Sequence, residues 1–267
     1  MAMPLNLVLV RHGESEGNLA RSYSRKGDDS KYTAEFKNRH SSLFKLTDRG
    51  RTQAASAGNW IKENINPNFF RYYTSEYLRA METAACLNLP DAKWFSEFYL
   101  RERDWGELDI TSDEERRTKF EGAMKRRELD SFFWTPPGGE SLAHMCLRID
   151  RVLNTLHREC DGKEVIIVCH GETMLGFRVR LERMSQEHFR EMESSNKKFD
   201  RIHNCQVIQY TRKDPSSGKI APYLNWMRSV CPSDTTLSSN EWEEIKRPKY
   251  KNDDLLAIAD KHRRILE

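Results

Sequence analysis

Short apolar runs alternate with amphipathic stretches along most of this chain, which predicts an α/β fold rather than an all-α or all-β one. Residues 7–10 and 165–169 are continuous apolar runs of the kind carried by strands buried on both faces. Residues 69–74 and 205–211 read as further strands, and 94–98 as a short edge strand. Between the strands the period lengthens. Over 47–64, Ala54, Ala55, Ala57, Trp60 and Ile61 recur at helical spacing, with Thr47 or Asp48 as the cap. A helix follows the 69–74 strand and runs through Leu89, where Pro90 closes it. Residues 140–160 carry Leu142, Met145, Ile149, Val152, Leu153 and Leu156 on one stripe, before Asp161-Gly162-Lys163 turns the chain into the next strand. Helices are expected near 174–181 and 185–192, and a loop over 214–218. Residues 112–129 are charged with few apolar positions, expected as one surface helix.

Two stretches break the alternation. Residues 19–45 are polar, lack a clear period, and stand as an insertion between the first strand and the first long helix. Residues 232–267 are charged and open with turn residues; they are expected to form an appendage, partly mobile, on a domain spanning 1–231.

Composition narrows the class. The 267 residues include 44 Lys or Arg against 41 Asp or Glu, a net charge of +3, whereas a non-specific nucleic-acid binder carries a large basic excess. Hydrophobic residues at 37% suffice for a buried core despite 32% charged residues. No apolar run approaches the roughly 20 residues of a membrane helix, and the first one lacks the basic leader of a signal peptide. The expectation is a cytoplasmic protein without nucleic-acid or membrane partners; its oligomeric state stays open. Six cysteines without a C-x-x-C pair predict reduced, mostly buried thiols, no metal site and no metal cofactor. The charge is unevenly spread. Residues 19–45 hold seven basic and three acidic residues, a local excess larger than that of the whole chain.

An internal echo carries the chemistry. Leu7-Val8-Leu9-Val10-Arg11-His12-Gly13-Glu14-Ser15 matches Val165-Ile166-Ile167-Val168-Cys169-His170-Gly171-Glu172-Thr173. Each copy is an apolar strand, one residue, then His-Gly-Glu-Ser/Thr opening toward a helix. In a parallel sheet both histidines stand past the carboxyl ends of their strands, where ligands bind. The glycine allows close backbone approach, and the helix start supplies free N–H groups for an anion. A lone histidine at a strand end is more often structural; two copies of the whole pattern argue for convergence on one anion.

These motifs, taken in order, resemble the histidine phosphatase superfamily with its phosphoglycerate mutase-like fold. Arg11-His12-Gly13 resembles its signature, Leu46-Thr47-Asp48-Arg49-Gly50-Arg51-Thr52-Gln53-Ala54 its L-T-x-x-G-x-x-Q-A segment, and 75–84 its S-x-x-x-R-A-x-E-T-A segment. The stretch 100–107 around Glu102 resembles L-x-E-x-x-x-G, and 136–141 resembles P-G-G-E-S. The resemblance spans about 5–211 and implies a three-layer α/β sandwich, a mostly parallel central sheet flanked by helices. It implies that His12 is the nucleophile that forms a phosphohistidine, with Arg11, Arg79, His170, Asn18 and Gly171 around the phosphoryl group and Glu102 as proton donor. The guanidiniums of Arg11 and Arg79 disfavour a protonated His12 and grip oxygens bidentately, as a lysine would not. No metal and no cofactor is implied; the expected partner is a small phosphorylated metabolite. Glu140, Ser141, Ser15 and Thr173 are expected to cap helices, and Trp105 and Trp134 to pack. One position departs from the pattern: where many relatives carry an arginine five residues past the second histidine, Leu175 stands here, with Arg178 three further on.

Three readings share this pocket. Phosphatase chemistry is the first, because the 37 residues between Glu102 and Glu140 are fewer than resemblance to a cofactor-dependent mutase implies. The mutase is the second, and a non-catalytic phosphate-binding module the third. Position and charge also make 19–45 a candidate to read a second anionic group, with Arg21, Arg25 and Lys26 as its contacts.

Overall fold

The computed structural model describes residues 2–195 and 197–266. β1 (Asn6–Arg11) leads into α1 (Glu16–Ser24) and the short α2 (Ala34–Asn38), and α3 (Asp48–Asn64) returns the chain to β2 (Arg71–Thr74). Next come α4 (Leu78–Cys86), β3 (Trp94–Ser96), α5 (Asp113–Thr118), α6 (Glu121–Leu129) and α7 (Leu142–Glu159). β4 (Glu164–Cys169), α8 (Gly171–Glu182), α9 (Gln186–Ser194), β5 (Val207–Thr211), β6 (Trp226–Val230), β7 (Glu243–Glu244) and α10 (Asn252–Ala259) follow.

The strands form one sheet in the order β3-β2-β4-β1-β5-β6-β7. The four strands from β3 to β1 are parallel, as helical crossovers require. β5, β6 and β7 extend the sheet antiparallel; β5 and β6 are joined by a loop that closes on itself through Lys213 and Ile220 and contains no helix. The alternation of side chains across the central strands builds two cores. Leu7, Leu9, Val165 and Ile167 face Met145, Ile149 and Phe177 of α7 and α8, whereas Val8, Val10, Ile166 and Val168 face Ala54, Ala57, Ile61 and Ala84 of α3 and α4. Helices on both faces of the sheet make the expected three-layer α/β sandwich, and this explains why both inner strands are apolar at every buried position.

Several boundaries moved for local reasons. The helix expected to reach Leu89 stops at Cys86, because Asn88 adopts a left-handed conformation with φ of 47°. The charged stretch 112–129 breaks into α5 and α6 at Lys119 and Phe120, which lets Phe120, Ala123 and Met124 pack around Leu108 and Trp134. The start of 19–45 is helical after all: Ser15 caps α1 in a reciprocal box with Asn18, yet the helix buries only Ala20 and Ser24 and so has no apolar stripe to read. Within 232–267, β7 pairs with β6, and Arg247 donates to the carbonyls of Leu181 and Leu224, while α10 is exposed. Five of the six free cysteines are buried. No helix among the described residues is long and apolar enough to cross a membrane.

Candidate active site

The register of the two central strands builds the site. β1 and β4 pair residue for residue up to Arg11 opposite Cys169, so His12 and His170 emerge side by side. Their rings lie edge to face with centroids 5.1 Å apart. His12 N donates to Cys169 O at 2.9 Å, which prolongs the pairing one step past the strands.

His12 is 2% exposed. Its Nδ1 lies 2.7 Å from Gly13 O, which can only accept, so Nδ1 carries the proton and Nε2 keeps its lone pair. Arg79 Nε donates to that Nε2 at 3.2 Å, and Arg79 Nη1 to Ser41 O at 2.6 Å. Burial, and then the charges of Arg79 and Arg11, push the His12 pKa well below its usual value. The ring is a neutral base. Arg11 donates from Nη1 to Ile202 O at 2.6 Å, while its Nε is buried without a partner among the described residues. His170 is fully buried, its Nε2 2.8 Å from Ser75 Oγ and its Nδ1 without a partner among the described residues. Burial above all, with Arg79 and His12 nearby, holds it neutral too.

Glu102 stands on the loop before α5, and its Oε1 accepts from Arg103 N at 3.0 Å, Thr173 N at 3.2 Å and Thr173 Oγ1 at 3.4 Å. Burial raises its pKa, and the neighbouring Glu172 carboxylate raises it further. The carboxyl group thus keeps its proton beyond the usual range, as an acid should. Its loop is fixed by Arg148, which grips Glu140 with Nε and Nη2 at 2.8 and 3.0 Å and also donates to Glu102 O at 3.3 Å. Glu172 is held in turn by Trp105 Nε1 at 2.6 Å and Arg103 Nη1 at 3.5 Å.

These groups open into a cavity of about 490 Å³ whose lining includes Arg11, His12, Asn18, Arg79, Glu102 and Gly171. His170 lies behind that lining, against His12. Gly171 opens α8, and a Cβ there would come within 3.3 Å of Arg11 Nε, so the missing side chain makes room for the guanidinium. Asn18 Oδ1 accepts from Ser15 and from Asn204 Nδ2 at 3.0 Å, which leaves its amide N–H groups to donate. Of the expected insertion contacts, Arg21 and Arg25 line the cavity; Lys26 does not, because it follows the end of α1 and points into solvent with high exposure. Phe36 and Phe44, stacked 4.5 Å apart, give the insertion an aromatic wall on the cavity. Leu175 lines the cavity as well, but Arg178 does not: both Nε and Nη2 are taken by Glu182, at 3.0 and 3.2 Å.

Some roles were not legible from the motifs. Thr173, expected as a cap, lies within α8 and contacts Glu102, while Glu140 is the partly buried counter-ion of Arg148. Ser15 and Ser141 cap α1 and α7 as expected. Trp105 does more than pack, since it lines the cavity and donates to Glu172. Asn204, which ties Asn18 to His12 O, stood in no motif and gave no signal. Ser75 and Thr83 did, as the first serine and the threonine of the 75–84 segment: Thr83 Oγ1 donates to Arg79 O at 2.6 Å and accepts from Gly13 N at 3.1 Å.

The chain is similar to several known proteins. A 2,3-bisphosphoglycerate-dependent phosphoglycerate mutase of Parvibaculum lavamentivorans is 31% identical over 194 residues, covering 69% of this chain and 83% of its own. A 6-phosphofructo-2-kinase/fructose-2,6-bisphosphatase of Aquarana catesbeiana is 30% identical over 171 residues, 64% of this chain but 31% of that larger protein. Among solved structures, a mycobacterial glucosyl-3-phosphoglycerate phosphatase with inorganic phosphate shares the fold with a TM-score of 0.59 at 19% identity, covering 77% of this chain and 89% of its own. The model of the histidine phosphatase superfamily (branch 1) matches residues 7–205, and the chain belongs to that family.

Proposed function

We propose that this protein hydrolyses phosphomonoesters of small metabolites through a phosphohistidine at His12, without a metal ion. The observation that carries the reading is the tautomer of His12: Nδ1 is committed to Gly13 O, and the unprotonated Nε2 meets the Arg79 guanidinium. In the first step the Nε2 lone pair attacks phosphorus and the bond to the leaving oxygen breaks, with Glu102 giving that oxygen its proton. Arg11, Arg79 and His170 stabilise charge on the phosphoryl oxygens during transfer. In the second step the Glu102 carboxylate takes a proton from water, the water oxygen attacks phosphorus, and the P–N bond breaks. Inorganic phosphate leaves, and both residues return to their first states.

The test is turnover of p-nitrophenyl phosphate in the presence of a chelator, together with acid-labile labelling of the protein. His12→Ala should lose both. Labelling that persists in a folded His12→Ala protein refutes the nucleophile. The second reading, a mutase, draws on the identity with bisphosphoglycerate-dependent mutases. Bisphosphate-primed exchange of phosphate between glycerate isomers, faster than release of inorganic phosphate, would decide for it.

A further inference from the structure

The catalytic cavity continues past its far end. A second cavity of about 560 Å³ adjoins it, and Arg21, Arg25, Arg116 and Met124 line both. The three arginines come from segments outside the strand–helix frame. Arg21 and Arg25 stand four positions apart at the end of α1 and share a face, and Arg116 belongs to α5. Asp113 N donates to the buried Ser24 Oγ at 2.8 Å, which joins the end of α1 to the start of α5 and gathers the guanidiniums.

Three like charges held this way call for a counter-ion, and the chain supplies none at contact. Arg116 is 8% exposed, yet its recorded bonds go to neutral oxygens, from Nε to Thr111 Oγ1 at 3.1 Å and from Nη2 to Leu108 O at 2.8 Å. Arg21 Nε is buried without a hydrogen-bond partner among the described residues. None of the three forms an ion pair within 4.0 Å among the described residues, and Asp109 and Asp113 act on Arg116 only from farther away. The neighbouring charges Arg117 and Lys125 are already paired on their own helices, with Glu114 and Glu121. The Trp105 ring lies 5.3 Å from the Arg116 guanidinium and 6.0 Å from that of Arg21, a contact that softens a cation without balancing it. A buried, uncompensated guanidinium such as that of Arg116 is costly unless an anion joins it, and half-buried Arg21 and exposed Arg25 stand beside it to share that anion.

The geometry points to a second anion subsite formed by Arg21, Arg25 and Arg116, which takes a phosphate or carboxylate at the far end of a phosphomonoester whose reacting phosphoryl sits at His12. The inference rests on the reading of the His12 cavity as the phosphomonoesterase site. The substrate class is then an extended, doubly anionic phosphomonoester, its carbon framework lying in the cavity beside Phe36 and Phe44.

Alkanediol bisphosphates, ω-carboxyalkyl phosphates and alkyl monophosphates, matched over a graded series of lengths, measure this directly. At one best length, kcat/KM for the doubly anionic member should exceed that of the matched monophosphate by about tenfold for each arginine engaged, or ~1.4 kcal/mol apiece. The phosphate and carboxylate arms tell which anion the subsite prefers. In Arg116→Gln and in the Arg21→Gln/Arg25→Gln double variant that advantage should fall by about tenfold or more, and added salt should shrink it in the wild type. Because Arg116 is buried, the double variant decides if Arg116→Gln fails to fold. Calorimetric binding of the same compounds to His12→Ala separates the two readings. Hydrolysis of monophosphates with no preference for a second anion overturns the subsite and spares the catalytic reading. Arginine-dependent binding of the bisphosphate without any hydrolysis does the reverse. A double variant that keeps the wild-type preference overturns the subsite outright.

Discussion

Replacing Glu102 with glutamine tests the proposed proton-donor role apart from everything else the residue does. Oε1 carries all the recorded bonds of this side chain, from Arg103 N, Thr173 N and Thr173 Oγ1. An amide oxygen accepts the same three bonds, so Glu102→Gln keeps its place, and the amide nitrogen replaces the oxygen that holds the proton. Loss of a positioned general acid lowers a rate by about 10²–10⁴-fold, or ~2.7–5.4 kcal/mol in the barrier. That penalty falls on leaving groups that need a proton. Alkyl phosphates should therefore lose the full factor, whereas p-nitrophenyl phosphate, whose phenolate leaves unaided, should lose about tenfold at most. The pH profile adds an independent signature. Burial and Glu172 raise the Glu102 pKa, so the wild-type rate on alkyl phosphates should hold at acid pH and fall as pH rises through that raised value. The neutral His12 extends the acid side further, because its own pKa is pushed down. In Glu102→Gln the alkaline limb should disappear. Steady-state kinetics on the two substrates, each across pH, checks all of this; equal losses on both leaving groups, or an alkaline limb that survives, refute the assignment.

Two predictions concern the scaffold. A Cβ at Gly50 would stand 2.0 Å from Glu14 O, and one at Gly13 2.3 Å from Gly50 O; Gly50→Ala should thus force the His12 loop away from α3, cost about 1–3 kcal/mol or more, and lower kcat together with the melting temperature. A variant with wild-type melting and activity would show that this backbone contact is not required. His170 is held neutral in the folded chain with its pKa pushed below 6.5, so below about pH 6.5 the unfolded chain binds a proton that the folded chain refuses, and stability falls as pH drops. Urea denaturation of wild type and His170→Asn between neutral and mildly acid pH should differ in slope by up to ~1.4 kcal/mol per pH unit, with the variant shallower; parallel curves would mean that His170 carries a proton in both states.

The parts of this molecule that could be read beforehand are those in which a backbone constraint leaves a mark on residue type. The paired apolar runs before His12 and His170 announced two inner strands, because burial on both faces demands apolar residues at every position. The L-T-x-x-G wording has a physical cause in the fold: Leu46 N donates to Glu82 at 2.6 Å, Thr47 caps α3, and Gly50 lets Glu14 O approach. What could not be read are contacts between distant segments made by ordinary polar residues. Asn204 bonds to Asn18 across the chain, and Arg148 reaches Glu102 O and Glu140, without any periodicity that signals either. β6 and the extent of α1, though not its capped start at Ser15, escaped for a related reason: their burial is too slight to impose an apolar pattern.

The side-by-side emergence of the two histidines sets a limit on what this site can accept. Their 5.1 Å separation follows from adjacent hydrogen-bonded strands, whose spacing of about 4.8 Å is common to all β-sheets. The gauge of the proposed phosphoryl site is thereby tied to the geometry of the peptide group. Lengthening a loop cannot widen it, and exchanging a side chain at the rim cannot narrow it. A variant selected for a larger transferable group would have to break the sheet to obtain one, whereas a variant selected for a different alcohol need only redraw α1, α5 and the turns around them. Adaptability and invariance are therefore housed in different parts of the chain, and engineering of this scaffold has a natural line along which to cut.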